Sequence, residues 1–599
     1  MKPIHNHPIK AWLLAAMLAV LALPALADMH AHDADEDAHD STATRNHAES
    51  RIHWRKPPQD RDSHPTAWVR MQILGFNDFH GQLSSGRLVS GRPVGSAPVL
   101  ASYLYRAQEN GDDDATFIVH AGDHVGASPP VSALLQDEPS IEFLNLLAND
   151  KCSERKPRHP RCNLVGTLGN HEFDEGVAEM LRLLKGGNHA SGPFLEKRYR
   201  GARFPYVSAN VVDADSGKPL LPPYVIKQAR GQRIAFIGAV LKETPSIVTP
   251  TGVAGVRFLD EADAINRYVP EIKARGVHAI VVLIHQGTRA TPFSGATRAQ
   301  PQVLSGAIGD IVKRLDDEID IVVSGHAHGF TNALVENNNG RPILVTQAFS
   351  AGTAYADIDI AIDPASHDIV EKSAAIVTTW ADEGPGLMPD ADVAQMVAQA
   401  EQRVAPLVNR VIGTAAIDIL AASNDAGESA LGNLIADAQR AALNTDFAFM
   451  NPGGIRADIL AGVVTWGELF TVQPFNNDLV RMNLSGAQIV QLLNQQWQGQ
   501  AFPRILKTSG LTYLWDNARP VGDRIVEVRD ANGSLLNPAA SYSVTVNSFL
   551  AAGGDNFSVL NAGTQRVVGP VDLDALVTYI LARPQPFSAA VEGRIQRIN

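Results

Sequence analysis

Cysteine is nearly missing from this chain: Cys152 and Cys162 are the only two in 599 residues. No second Cys or His pair completes a zinc-finger spacing around them, which argues against a structural zinc module. Long apolar runs are missing too, apart from Ala11–Leu23. That run follows Lys2 and Lys10 and precedes Pro24 and Ala25-Leu26-Ala27. A basic start, a short apolar stretch and an A-x-A site predict a secretory signal cleaved after Ala27, leaving no membrane span. In an exported chain, two cysteines this close predict a disulfide closing a surface loop. Positive charge is in deficit: 51 Lys and Arg stand against 64 Asp and Glu, a net −13. Residues 1–27 hold two lysines and no acids, so removing them gives 49 − 64 = −15. An acidic chain without a basic cluster argues against duplex nucleic acid as partner. A small anionic substrate stays open, because bound divalent cations reverse the local field.

Apolar residues make up 45% and charged residues 19%, the composition of a globular protein. The length asks for two domains. Residues 28–66 are rich in His and Asp (Met29 to Asp40) and then in proline, and predict a disordered leader. From residue 67, short β-branched runs alternate with amphipathic segments, the pattern of an α/β core with much parallel pairing, extending to 380. Glu383–Pro389 reads as a break, and apolar positions Val393, Met396, Val397, Ala400 and Val404 predict a joining helix within 381–410. A second domain of mixed α/β character then occupies 411–599.

Five strand-like runs of the first domain end in the same chemistry. Val69–Phe76 ends in Asn77-Asp78-Phe79-His80-Gly81, and Thr116–His120 in Ala121-Gly122-Asp123. Asn163–Leu168 ends in Gly169-Asn170-His171-Glu172-Phe173-Asp174. Ala279–Ile284 ends in His285-Gln286-Gly287, and Ile319–Val323 in Ser324-Gly325-His326-Ala327-His328. Ligands of open α/β sheets sit outside the carboxyl ends of the strands. Asp78 and His80, like His326 and His328, are two apart and point the same way on extended chain. Asp78, His80, Asp123, Asn170, His285, His326 and His328 are too many donors for one tetrahedral ion. They suit two divalent ions about 3.5–4 Å apart. Mixed imidazole, carboxylate and amide donors favour zinc, manganese or iron.

Taken together, these five motifs resemble the dimetal calcineurin-like phosphoesterases, and Asn-Asp-Phe-His with Asn-His-Glu-Phe-Asp resembles the 5'-nucleotidase and UDP-sugar hydrolase branch. The resemblance spans nearly all of residues 68–355. It implies an αββα metallophosphatase sandwich. One metal would be held by Asp78, His80 and His328, a second by Asn170, His285 and His326, with Asp123 bridging. It also implies that His171 is a catalytic imidazole oriented by Asp174, and that water activated by the two ions, zinc or manganese, attacks phosphorus. His120 and His124 stay outside this set, and Glu172 has no assigned role.

The second domain carries Asn451-Pro452-Gly453-Gly454-Ile455-Arg456, Pro474-Phe475-Asn476-Asn477 and Phe549 to Asp555. Paired glycines beside an arginine suit an oxyanion, and two aromatics on separate loops suit a flat base. This part resembles the substrate domain of the same family. The resemblance implies phosphate contacts from Asn451 and Arg456, base stacking by Phe475 and Phe549, a base-edge contact from Asn477, and ribose held by Asp555. The family's further arginines upstream of Glu428-Ser429 are missing, since Leu420–Gly427 contains none. The expectation is a periplasmic or secreted 5'-nucleotidase with a small nucleotide as substrate and UDP-sugars as a second candidate. The alternatives are a 2',3'-cyclic phosphodiesterase/3'-nucleotidase, a thiosulfohydrolase-like enzyme, or a binding protein without turnover. The His171–Asp174 pair argues against the last, because capture needs no acid–base dyad.

Overall fold

A computed structural model describes residues 67–111 and 115–599, so the predicted signal and leader lie outside the described residues. The first domain stacks two six-stranded sheets. One has the order Ile369–Thr378, Ala354–Ile362, Val69–Phe76, Thr116–His120, Leu164–Thr167, Tyr206–Val207. The other has Phe330–Glu336, Pro342–Ala348, Ile321–Ser324, Ala279–His285, Gln232–Val240, Tyr224–Ala229. Within each, the strands that end in the five motifs run parallel to one another, and Val69–Phe76 is also flanked by the antiparallel Ala354–Ile362.

Both faces of these strands are buried, which is why they read as continuous apolar runs. Ile73, Val119, Val281 and Val323 fill the layer between the sheets. Leu74, Ile118 and Leu164 face a helical layer outside the first sheet. Ile280, Val282 and Ile284 face another outside the second. The α/β expectation thus takes the form of a four-layer αββα sandwich.

Helix Ala391–Val408 starts where Asp390 caps Val393 N. It buries Val393, Met396, Val397, Ala400 and Val404 in the first domain's outer core, so the joining helix is built into that domain. The second domain centres on a mixed five-stranded sheet, Lys507–Ser509, Phe447–Met450, Ser541–Asn547, Asp478–Ser485, Thr564–Val571. No helix among the described residues is long and apolar enough to cross a membrane.

Cys152 and Cys162 are bonded. The loop they close exposes Arg155, Lys156, Arg158 and Arg161, with Lys151 exposed just before it, so basic charge does cluster locally, which the overall balance concealed. The loop leads into the amino end of Leu164–Thr167, the end opposite Asn170.

Beneath this loop, Lys227 is fully buried and donates to His159 O at 3.2 Å. Burial lowers its amine from an ordinary 10.5 to about 7. Between those values the unfolded chain binds a proton that the folded chain does not, so stability rises with pH across that window. Lys227→Met is expected to raise the melting temperature at pH 7.5, with the gap to wild type narrowing by pH 10. A gap that stays constant with pH, measured by calorimetry, would contradict the buried-amine account.

Candidate active site

The two sheets bring their carboxyl ends to one place. Asp78, His80 and His328 offer ligand atoms within 4.8 Å of one another, and so do Asp123, His285 and His326. Asn170 joins the second group, its Oδ1 lying 3.0 Å from His326 Nδ1. Asp123 belongs to the second group and also faces the first, with Oδ2 3.9 Å from His80 Nε2. His328 Nε2 lies 3.4 Å from Asp78 Oδ1.

The backbone at these positions is unusual. Asp78, His80, Asp123, His326 and His328 all have φ between 47° and 71°. Left-handed backbone is uncommon outside glycine and costs of order 1–3 kcal/mol per residue. Here a hydrogen-bond lattice holds it. Asp78 N donates to Gly122 O (3.2 Å), His80 N to Asp123 O (3.0 Å), and Ala351 N to Asp78 O (2.7 Å). His326 N donates to the Asp78 carboxylate at 2.9 Å, and Asn77 Nδ2 to the same group at 2.6 Å. Gly169 is required by space: a Cβ there would meet Asp123 Oδ1 at 2.1 Å.

The outer ring nitrogens are oriented as metal-binding imidazoles require. His80 Nδ1 faces Gly126 O at 2.9 Å, and His285 Nδ1 faces Ala121 O at 2.7 Å. The inner nitrogens point at one another without satisfying pairings. His80 Nε2 and His328 Nε2 face at 3.1 Å. Buried His285 Nε2 sits 2.9 Å from Asp123 Oδ2 yet has no partner in hydrogen-bonding geometry. Lone pairs converging on shared points fit divalent cations better than they fit a protein-only network. Burial opposes charge on Asp123, but His285 and His171 beside it hold the carboxyl well below its ordinary value.

His171 is adjacent to both groups. Its Nδ1 lies 2.7 Å from Asp174 Oδ2, and its backbone N donates to Asp123 Oδ1 at 2.8 Å. Burial lowers its proton affinity, but Asp174 and then Asp123 outweigh that and raise it. Glu172 gains a structural task. Fully buried, it accepts from Asp123 N (3.0 Å), His124 N (2.9 Å) and Gly169 N, tying two strand ends together. Burial pushes its carboxyl up to about 7. His120 and His124 pack behind the site among aromatics, His124 stacked on Phe79 at 4.9 Å.

The second domain closes over this end. Phe475 stacks on His171, ring centres 5.9 Å apart and 18° between planes, with Arg456 Cζ 6.0 Å from the Phe475 ring. Helix Thr244–Ile247 packs against the turn Gly554–Asn556. Asn451 and Phe549 follow the carboxyl ends of neighbouring parallel strands. Asn451 Nδ2 donates to Asp555 Oδ2 at 3.0 Å. Asn477 Oδ1 accepts from Ser548 Oγ at 3.0 Å, beside Phe549. Phe475 and Phe549 share no ring contact among the described residues, because Phe475 is turned toward His171. Asn77, Glu172 and Arg504, which donates to Asp555, were outside the residues singled out by sequence. Only Asn77 and Glu172, flanking Asp78 and His171, had a local signal.

A family model for calcineurin-like phosphoesterase matches residues 71–330, and one for the 5'-nucleotidase C-terminal domain matches 411–562. The chain is 33% identical to the cell wall protein Lmo0130 of Listeria monocytogenes over 88% of its own length and 69% of the relative's. It is 36% identical to the endonuclease YhcR of Bacillus subtilis over 90% of its own length, but spans only 42% of that protein. Among solved structures, a 5'-nucleotidase precursor from Thermus thermophilus superposes with a TM-score of 0.72 at 28% identity. That match covers 89% of this chain and all of the other.

Proposed function

The chain belongs to the 5'-nucleotidase family of calcineurin-like phosphoesterases, and we propose that it releases phosphate from nucleoside 5'-phosphates. As a member it is a metal-dependent phosphoester hydrolase. The observation that carries the substrate reading is the meeting, in one cleft, of the Asp/His groups and His171 with Arg456 and Phe475 of the other domain.

Two divalent cations, which we take to be zinc or manganese, would supply Lewis acidity toward the phosphoryl oxygens and lower the pKa of the attacking water when bound. Asp78, His80 and His328 would hold one, Asn170, His285 and His326 the other, with Asp123 shared. Water oxygen bonds to phosphorus as the ester P–O bond breaks, and the leaving 5'-oxygen takes up a proton. Asp174 fixes the His171 ring through Nδ1, leaving Nε2 to meet the phosphoryl group and offset its developing charge. Arg456 and Asn451 would bind phosphate oxygens. Phe475 and Phe549 would flank the base, Asn477 would touch its edge, and Asp555 would lie by the sugar. We also place the enzyme in a periplasm or the medium, a reading supported by the Cys152–Cys162 bond.

A phosphate-release screen of the purified protein with zinc or manganese tests this over AMP, UDP-glucose, a 3'-nucleotide and a 2',3'-cyclic nucleotide. AMP is expected to be the best mononucleotide substrate. Preference for the 3' or cyclic ester would reverse the orientation of the sugar. Silence on all four would leave a binding protein.

A further inference from the structure

The cleft wall of the second domain holds a cation that this reading leaves unused. Arg504, half-buried, donates through Nη1 to Asp555 Oδ1 at 2.5 Å. Asn451 donates to the other carboxylate oxygen. Asp555 is only 3% exposed, so both its oxygens already hold a protein donor. The free donors at this point are those of Arg504, whose Nε and Nη2 meet no acceptor among the described residues. Where a neutral diol would look for an acceptor, the wall offers a guanidinium.

A second observation lies beside it. The Phe502 ring stacks on the guanidinium, 4.7 Å from Cζ to the ring centre, and is 59% exposed. A single exposed aromatic needs no explanation. This one is held out by a pinned segment: Gln500 Nε2 donates to Asp555 O (2.7 Å), Asn556 Nδ2 to Gly499 O (3.2 Å), and Arg504 N to Gln496 O (2.9 Å). A guanidinium with a free edge and an exposed ring against its face is the pairing that binds a phosphate and stacks a base. Through Asp555 it adjoins Asn451, which opens the same loop that carries Arg456, and Arg456 lies by the Phe475 ring that stacks on His171.

Resting on the proposal of a 5'-phosphate at the Asp/His groups, we propose that Arg504 and Phe502 form a second subsite for a phosphoryl group on the far, 2' or 3', side of the sugar. The substrate class is then a nucleoside 3',5'-bisphosphate or the 5'-phosphorylated end of an oligonucleotide. Hydrolysis still breaks the 5' P–O bond, and the 3' group leaves with the product. Phe502 serves the base that follows when one is present.

The test is the ratio of kcat/KM for adenosine 3',5'-bisphosphate to that for AMP, measured on the metal-loaded full-length protein. Wild type is expected to favour the bisphosphate. Arg504→Gln should cut the ratio about 10- to 100-fold, the scale of one charge-assisted contact. Arg504→Lys, which keeps the charge, should retain part of it and covers the case where the glutamine variant fails to fold. Phe502→Ala should weaken a 5'-phosphorylated dinucleotide more than the bisphosphate. A ratio indifferent to Arg504 while AMP is hydrolysed would overturn this inference alone. Failure of wild type to hydrolyse either compound would overturn the 5'-phosphate reading and this inference with it.

Discussion

His171→Ala is expected to lower kcat by about 10²- to 10⁴-fold while leaving two metal ions bound per chain. The imidazole touches Asp174 and stacks on Phe475; it packs edge-on against the His80 ring at 5.1 Å, and the hydrogen bond to the candidate metal ligand Asp123 comes from the backbone N–H of His171. Alanine keeps the backbone N–H, so Asp123 should stay oriented while the imidazole proposed to meet the phosphate is lost. KM should move little, since the contact strengthens mainly as charge develops. Elemental analysis beside phosphate-release kinetics separates the two roles. A fall in metal content matching the fall in kcat would move His171 into the ligand set, which its place beside His80 and Asp123 permits geometrically. Asp174→Asn should follow in the same direction with a smaller loss, because the ring survives but its tautomer is no longer held.

Asp123→Asn is expected to remove activity by more than about 10³-fold and to leave fewer than two ions per chain. Asparagine is nearly isosteric and can still accept from His171 N, so the turn should persist and the change is one of charge. Asp123 is 1% exposed, and its carboxylate lies between His285 and His80. Two divalent cations held by these neighbouring groups would repel one another, and a carboxylate shared between them would offset that repulsion. Thermal melts of the metal-free variant and wild type guard against simple unfolding. Two ions retained with activity within tenfold of wild type would exclude Asp123 as the bridge.

Much of this site could be read in the chain because its signals are short-range. Asp78 and His80, or His326 and His328, are two residues apart, and a strand end turns that spacing directly into shared direction. Continuous apolar runs marked strands buried on both faces, and the parallel centres of the two mixed sheets follow from them. The joining helix showed itself in the same way, through apolar positions at helical spacing, though its packing into the first domain did not.

What stayed hidden depends on distant segments meeting. Glu172 had no assigned role in sequence, yet it is buried and accepts from three backbone N–H groups of two strand ends. Phe475 carried in sequence only its expected role beside Phe549, and nothing local announced that it also stacks on His171 across the domain boundary. Arg504 had no local pattern at all, and what singles it out is its ion pair with Asp555, fifty-one residues on. The left-handed backbone at five of the seven metal-type residues is likewise a tertiary fact, because only the lattice around them makes that conformation tolerable. The sequence by itself determined which chemistry gathers at the strand ends, since residue type and strand period are local properties. Only the tertiary structure decided what faces that chemistry from the second domain, since the angle at which two domains pack is written in no single stretch of chain.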